Sequence, residues 1–316
     1  MAQSEAKAAL ITGANSGIGK EVARQFANLD LFDIVYLACR NDAKAQVAKA
    51  ELERATGRTI FTTVPMDTAD SGSVRSAITW IDQPLHAVVM NAGGTGGSTP
   101  MALTKDGATE IFASNVLGHV VLLERLIDLG ALTNTAVLTG SEAARGVPKL
   151  RIKRPVFSDH SVDEFACVID GSFFAGGKVD PSLAYSQVKY LGALWMSALA
   201  RQYPELRLVT MSPGNSAGTK VFSDMPWLMR TLMDGVLMPY VLPALRLSHT
   251  VDVGAKRLVD ATVDYTFRSG VFYASAASTL TGPVVDQAGI ITDFDDPTIQ
   301  DHANEAIHRY VPDRTS

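Results

Sequence analysis

The chain has 316 residues, 47% of them apolar and 19% charged, with 28 Lys and Arg against 33 Asp and Glu for a formal net charge of -5. This composition excludes collagenous and disordered classes, and the two cysteines, Cys39 and Cys167, are too few for a disulfide framework. The acidic balance gives no electrostatic reason to bind nucleic acid. No uncharged apolar run reaches the roughly 18 residues of an integral membrane segment, and glycine follows too early for a signal peptide, so a cytoplasmic location is expected.

In chain order, short runs rich in Val, Ile and Leu occupy residues 8–12, 34–39, 60–65, 86–91, 135–139, 206–211 and 271–274. Several are apolar on both faces, as in a sheet covered on both sides. Helical patterns lie between them at 20–28, 42–56, 74–81, 106–129, 186–202 and 250–261. The alternation predicts an α/β fold, a doubly wound parallel sheet of about seven strands with helices on both faces, forming one domain over residues 1–316.

Two segments break the rhythm. Residues 143–183 carry a basic patch (Lys149, Arg151, Lys153, Arg154), then an acidic one (Asp159, Asp163, Glu164), Asp170-Gly171 and Gly176-Gly177. They are expected to form an irregular, functional insertion. Residues 215–248 hold Met225, Met229, Met233 and Met238 among Trp227, Leu228, Leu232 and Tyr240. This segment reads equally as a core helix or as a mobile lid over an apolar ligand, because thioethers adapt to irregular surfaces. The acidic tail, 293–316, is expected to be a solvated helix.

The first predicted strand runs into Thr12-Gly13-Ala14-Asn15-Ser16-Gly17-Ile18-Gly19 and then a helix. Gly13, Gly17 and Gly19 permit a tight turn and close backbone approach to a ligand. The helix start offers free N–H groups and partial positive charge to a pyrophosphate, with Asn15, Ser16 and Ile18 in the loop. This is the context of a Rossmann-type dinucleotide site. At the end of the second strand stands Arg40, where an NAD site wants a carboxylate, so NADP(H) is the expected cofactor.

The G-x-x-x-G-x-G spacing resembles the short-chain dehydrogenase/reductase family. Further positions agree in order: Asn91-Ala92-Gly93 after the fourth strand, Asn115 in the next helix, Ser141 after the fifth strand, Tyr185-x-x-x-Lys189, and Pro213-Gly214 after the sixth strand. The resemblance implies that Asp67 contacts the adenine and that Lys189 hydrogen-bonds the nicotinamide ribose. It also implies that Ser141 holds the substrate oxygen and that Asn115 anchors a water in a proton relay. Tyr185 is the expected general acid/base. Lys189 lies four residues on, on the same helical face, and its charge is expected to lower the phenol's pKa from its usual value near 10.

Residues 142–184 make the connection between Ser141 and Tyr185 much longer than is usual in that family. Such an insertion resembles the retinol-dehydrogenase-like enzymes and, more closely, the light-dependent protochlorophyllide reductases. The latter likeness rests on Asp170-Gly171-Ser172-Phe173, Gly177-Lys178-Val179-Asp180, Thr219 to Leu232, and Ser269-Gly270-Val271-Phe272-Tyr273. Those reductases carry a cysteine immediately after Pro-Gly; this chain has Asn215, which cannot supply a thiol's chemistry.

The leading expectation is therefore an NADP(H)-dependent oxidoreductase acting on the carbonyl or alcohol of a fairly bulky apolar small molecule. The alternatives are reduction of a conjugated C=C bond and a non-catalytic NADP-sensing regulator. The resemblance leaves monomer and homodimer open, because the predicted 106–129 and 186–202 helices form subunit contacts in that family. The six histidines and two cysteines show no metal-ligand spacing.

Overall fold

The computed structural model describes residues 7–148, 152–214, 249–277 and 279–312. Asn215 and the Met-rich 215–248 segment lie outside the described residues, as do Lys149 and Arg151. The chain runs β1 (Ala8–Thr12), α1 (Gly17–Asn28), β2 (Ile34–Cys39), α2 (Asp42–Thr56), β3 (Phe61–Pro65), α3 (Ser71–Ile78) and β4 (Leu85–Met90). Next comes α4, which passes from a short turn (Glu110–Phe112) through a π-helical turn (Ala113–Leu117) into Gly118–Asp128. The remainder is β5 (Leu132–Thr139), α5 (Val162–Asp170), α6 (Pro181–Gln202), β6 (Arg207–Met211), α7 (Val251–Val263), β7 (Phe272–Ser275), β8 (Val284–Asp286) and α8 (Pro297–His308).

The strands form one sheet in the order β3-β2-β1-β4-β5-β6-β7-β8, parallel from β3 to β7 and antiparallel at β8. Alternate residues of each strand feed two apolar layers. Leu10, Tyr36, Val88, Leu138, Leu208 and Phe272 face one layer with residues of α4, α6 and α8. Ile11, Leu37, Val89, Val137, Val209 and Met211 face the other, with α1 and α7. Each large side chain so buried contributes about 1.5–3 kcal/mol relative to exposure.

Local chemistry sets the helix ends. The Asn41 side chain accepts from the Lys44 amide at 2.9 Å to start α2, and Gly57, with φ 67°, ends it in the left-handed conformation. Asp180 accepts from the amides of Ser182 and Leu183 at 3.1 and 3.2 Å, and Pro181 occupies the first position of α6. In α4 the Asn115 amide donates to the Ile111 carbonyl at 2.8 Å, a side-chain insertion that accompanies the π-helical turn.

Four expectations are corrected. Among the described residues the sheet has eight strands, because β8 is a three-residue edge strand too short to register as a pattern. The helix expected at 106–129 starts only at Glu110, since residues 104–107 form a hydrogen-bonded turn. The insertion is partly helical: Ser161 caps α5, whose Phe165, Ala166, Val168 and Ile169 are buried. The acidic tail is docked rather than solvated, because α8 buries Gln300, Ala303, Ala306 and Ile307 against α5 and α6.

Candidate active site

The glycine loop joins β1 to α1 at the carboxyl end of the sheet. Gly13 and Gly17 have φ of 66° and 56°, the region that favours glycine. A Cβ on Gly19 would lie 2.5 Å from Asn91 Nδ2 and 2.6 Å from the Gly13 carbonyl oxygen, so only glycine lets α1 start this close. Ser16 makes no side-chain cap, and the first turn of α1 holds no acid, so its amides keep their capacity for an anion. Asn15 is half-buried, Ser16 exposed and Ile18 buried in the same loop.

Arg40 at the end of β2 is exposed, and its Nε lies 3.9 Å from Asp67 Oδ2. Asp67 is half-buried; its Oδ1 accepts from the Ala69 amide at 3.1 Å. The two residues share the rim beyond β2 and β3.

Across the loop, Asn91 Nδ2 donates to the carbonyls of Thr12 and Gly13 at 3.0 and 3.4 Å. The amides of Asn91 and Ala92 both donate to Thr12 Oγ1, at 2.9 and 2.8 Å. The Asn115 amide clamps Gly94, accepting from its N–H at 3.1 Å and donating to its carbonyl at 2.8 Å. A Cβ on Gly93 would overlap the Asn115 carboxamide.

Ser141, after β5, is half-buried; its Oγ accepts from the Ala143 amide at 3.2 Å, and its side chain lies beside the Tyr185 phenol. Lys189 follows Tyr185 on the same face of α6, with Nζ 5.7 Å from the Tyr185 ring centroid, and donates to the Thr139 carbonyl at 3.0 Å. Burial pushes the phenol up to about 12, with the Ser141 side chain opposing and the Glu142 charge helping. Burial also brings the Lys189 ammonium down to about 8. The net shift of the phenol is upward, and its largest cause is desolvation.

Pro213 and Gly214 complete the rim after β6. Gly214 has φ 75°, and a Cβ there would lie 2.6 Å from the Arg257 guanidinium. The fold thus gathers Ser141, Tyr185, Lys189 and Asn115 beside the glycine loop, with Arg40 and Asp67 at the far end.

Sequence reasoning missed a buried charge cluster behind Ser141. Glu142 accepts from Ser212 Oγ at 2.6 Å and from the Ser275 amide at 3.1 Å, and lies 3.6 Å from Arg257. Arg257 donates to Ser275 Oγ at 3.1 Å and to the Gly282 carbonyl at 2.8 Å. Arg145 donates to the carbonyls of Gly146, Ser275, Ala276, Ala277 and Thr279. Burial holds both guanidinium groups below their usual pKa, with Glu142 opposing. His119 was missed too, although its place four residues after Asn115 sets both on one helical face.

Residues 7–146 match the family described as short chain dehydrogenase. The WW domain-containing oxidoreductase of Pongo abelii is 30% identical over 243 residues, covering 74% of this chain and 54% of the relative. Retinol dehydrogenase 11 of Mus musculus is 31% identical over 229 residues, covering 70% of this chain and 66% of the relative. The chain therefore spans about half of the first relative and about two thirds of the second. Among solved structures, salutaridine reductase from Papaver somniferum superposes with a TM-score of 0.59 at 18% identity, over 85% of this chain and 100% of that one. L-sorbose reductase from Gluconobacter frateurii, complexed with NADPH and L-sorbose, gives 0.62 at 16% identity, over 88% and 98%. These two establish the fold likeness alone. The chain belongs to the short-chain dehydrogenase/reductase family, whose members are oxidoreductases that use a nicotinamide cofactor on small molecules. Among the described residues, no helix is long and apolar enough to cross a membrane.

Proposed function

We propose that the chain is an NADP(H)-dependent oxidoreductase that interconverts a carbonyl and an alcohol on a fairly bulky apolar substrate. The observation that carries this reading is the Tyr185 phenol, beside Ser141 and flanked by Lys189, next to a glycine loop whose helix amides are uncapped. The uncapped amides and the glycine-only approach of α1 to Asn91 fit a dinucleotide pyrophosphate. Gly13, Asn15, Ser16, Gly17, Ile18 and Gly19 would hold that group, with Asn91, Ala92, Gly93, Pro213 and Gly214 on the nicotinamide side. Arg40 would take the ribose 2′-phosphate, and Asp67 the adenine. When bound, the nicotinamide supplies or accepts the hydride.

The chain's own residues handle the oxygen and the proton. Ser141 Oγ orients the substrate oxygen, and Tyr185 Oη holds the proton that this oxygen takes up in reduction. A phenol raised to about 12 stays protonated at neutral pH, which favours the role of acid over that of base. Lys189, lowered to about 8, loses its charge as pH rises through that value, and reduction is expected to decline with it. Asn115 acts through Gly94 and its own helix turn. Burial of most of α6 beneath α5 and α8 of the same chain supports the monomer.

The test is NADPH oxidation, followed at 340 nm, across bulky ketones and aldehydes including retinal. Turnover that falls at least about a hundredfold in Tyr185→Phe, with NADPH preferred over NADH and the preference lost in Arg40→Asp, is the expected outcome. Full turnover by Tyr185→Phe overturns the acid role, and an unchanged preference in Arg40→Asp overturns the cofactor assignment.

A further inference from the structure

His119 lies in α4, is fully buried, and bridges two parts of the site that are far apart in the chain. Its Nδ1 lies 3.1 Å from the Asn115 carbonyl oxygen, and its Nε2 lies 3.0 Å from Thr12 Oγ1. A carbonyl only accepts, so Nδ1 carries the proton. The Thr12 hydroxyl already accepts from the amides of Asn91 and Ala92, so its own proton is free to go to Nε2. Both ends of the ring therefore select one neutral tautomer, and every donor and acceptor in the bridge is used.

The bridge closes a circuit. Thr12 ends the strand that opens the glycine loop and carries Asn91 and Ala92 on its hydroxyl. Asn115 holds Gly94 from the other side through its carboxamide, while its carbonyl is held by His119. One imidazole thus fixes the spacing between the phosphate loop and the wall that the nicotinamide half would lie against.

We infer that His119 is a positioning residue for the dinucleotide, coupling the phosphate loop to the Asn91–Gly94 wall through Thr12 and Asn115. This rests on the reading of the glycine loop as a dinucleotide site. Two consequences separate the role from a merely structural one. The adenine half would use the glycine loop and Arg40, and the loop has an anchor outside the bridge: the Gly13 amide donates to the Ala38 carbonyl at 2.8 Å. A ligand made only of that half does not need the bridge, whereas the whole dinucleotide does. Thr12→Val already breaks the bridge, along with two amide bonds, so adding His119→Phe to it costs less than His119→Phe costs alone.

The experiment titrates the full chain with NADPH and, separately, with 2′,5′-ADP, at a temperature where circular dichroism shows each variant folded. For His119→Phe and for Thr12→Val, the NADPH Kd is expected to rise about tenfold while that of 2′,5′-ADP stays within about twofold. Thr12→Ser keeps the hydroxyl and restores wild-type binding, and the double variant binds NADPH no worse than Thr12→Val alone. An NADPH Kd that does not move, a parallel loss for both ligands, or losses that multiply in the double variant would each overturn the inference. Should His119→Phe not fold, Thr12→Val against Thr12→Ser decides it. A wild-type chain that binds 2′,5′-ADP and NADPH, with variants indistinguishable from it, sinks the inference and leaves the dinucleotide reading standing. Failure of the wild type to bind NADPH or NADH removes both.

Discussion

The glycine loop and the Ser141 loop both leave the carboxyl end of a sheet strand, but opposite means hold them in place. The first is built on absence: Gly13 and Gly19 let backbone meet backbone, Gly17 supplies a left-handed turn, and Gly19 has no room even for a methyl group. The second is built on charge. Glu142, Arg145 and Arg257 are each at least nine-tenths buried, and they tie the Ser141 loop to the ends of β6 and β7. A loop packed by missing side chains tolerates no addition, and a loop held by buried ions tolerates no subtraction. The two halves of one site should therefore fail in different ways.

The largest expected effect is on the charged side. Arg257→Leu removes the guanidinium 3.6 Å from the buried Glu142, and about 3–5 kcal/mol of unfolding free energy should be lost in a urea titration. The Glu142→Leu/Arg257→Leu double variant should lose less than the two singles added together. Additive losses would show that the two residues do not work as a pair.

A comparable effect follows from pH. His119 is held at about 4, chiefly by burial, with Lys189 helping and its bond to Asn115 opposing. On unfolding it regains an ordinary value near 6.5. Below about pH 6.5 the unfolded chain takes up a proton that the folded chain refuses, so stability falls from there toward pH 4 by on the order of 3 kcal/mol. His119→Phe should flatten that part of the pH–stability curve, and an unchanged slope would break the link between burial and tautomer.

On the glycine side the expected effects are smaller and sharper in kind. Gly19→Ala should cost about 1–3 kcal/mol and weaken NADPH binding, because backbone and the Asn91 amide must give way. Gly17→Ala meets nothing within 4 Å and carries only the penalty of its φ of 56°, about 1–2 kcal/mol. Equal losses would mean that conformation rather than close approach governs the loop. Smallest of all is Lys153→Ala. It removes an exposed 3.3 Å pair with Asp180, and less than about 1 kcal/mol should be lost in the same titration.

Much of this was legible along the chain because its causes are local. Seven strands announced themselves as short apolar runs, since a sheet covered on both faces needs apolar residues at every position. The glycine loop was legible because close approach demands a specific residue at a specific spacing. Tyr185 and Lys189 were legible because i and i+4 share a helical face. The helix α5 was hidden by charged residues on its solvent side, although Phe165 and Ile169 stand at helical spacing. The docking of α8 was hidden because its buried face is made of Ala303, Ala306, Ile307 and one glutamine. Small side chains give periodicity little to show.

By itself, then, the sequence determined the alternation of strand and helix, the conformations that only glycine allows, and the shared face of Tyr185 and Lys189. The tertiary structure alone decided that the phenol sits near 12 rather than below 10, that His119 is neutral and bridges Thr12 to Asn115, and that Glu142 faces Arg257. The physical reason is distance along the chain. Propensity and spacing act over a few residues, whereas desolvation and ion pairing depend on groups that only the finished fold brings together.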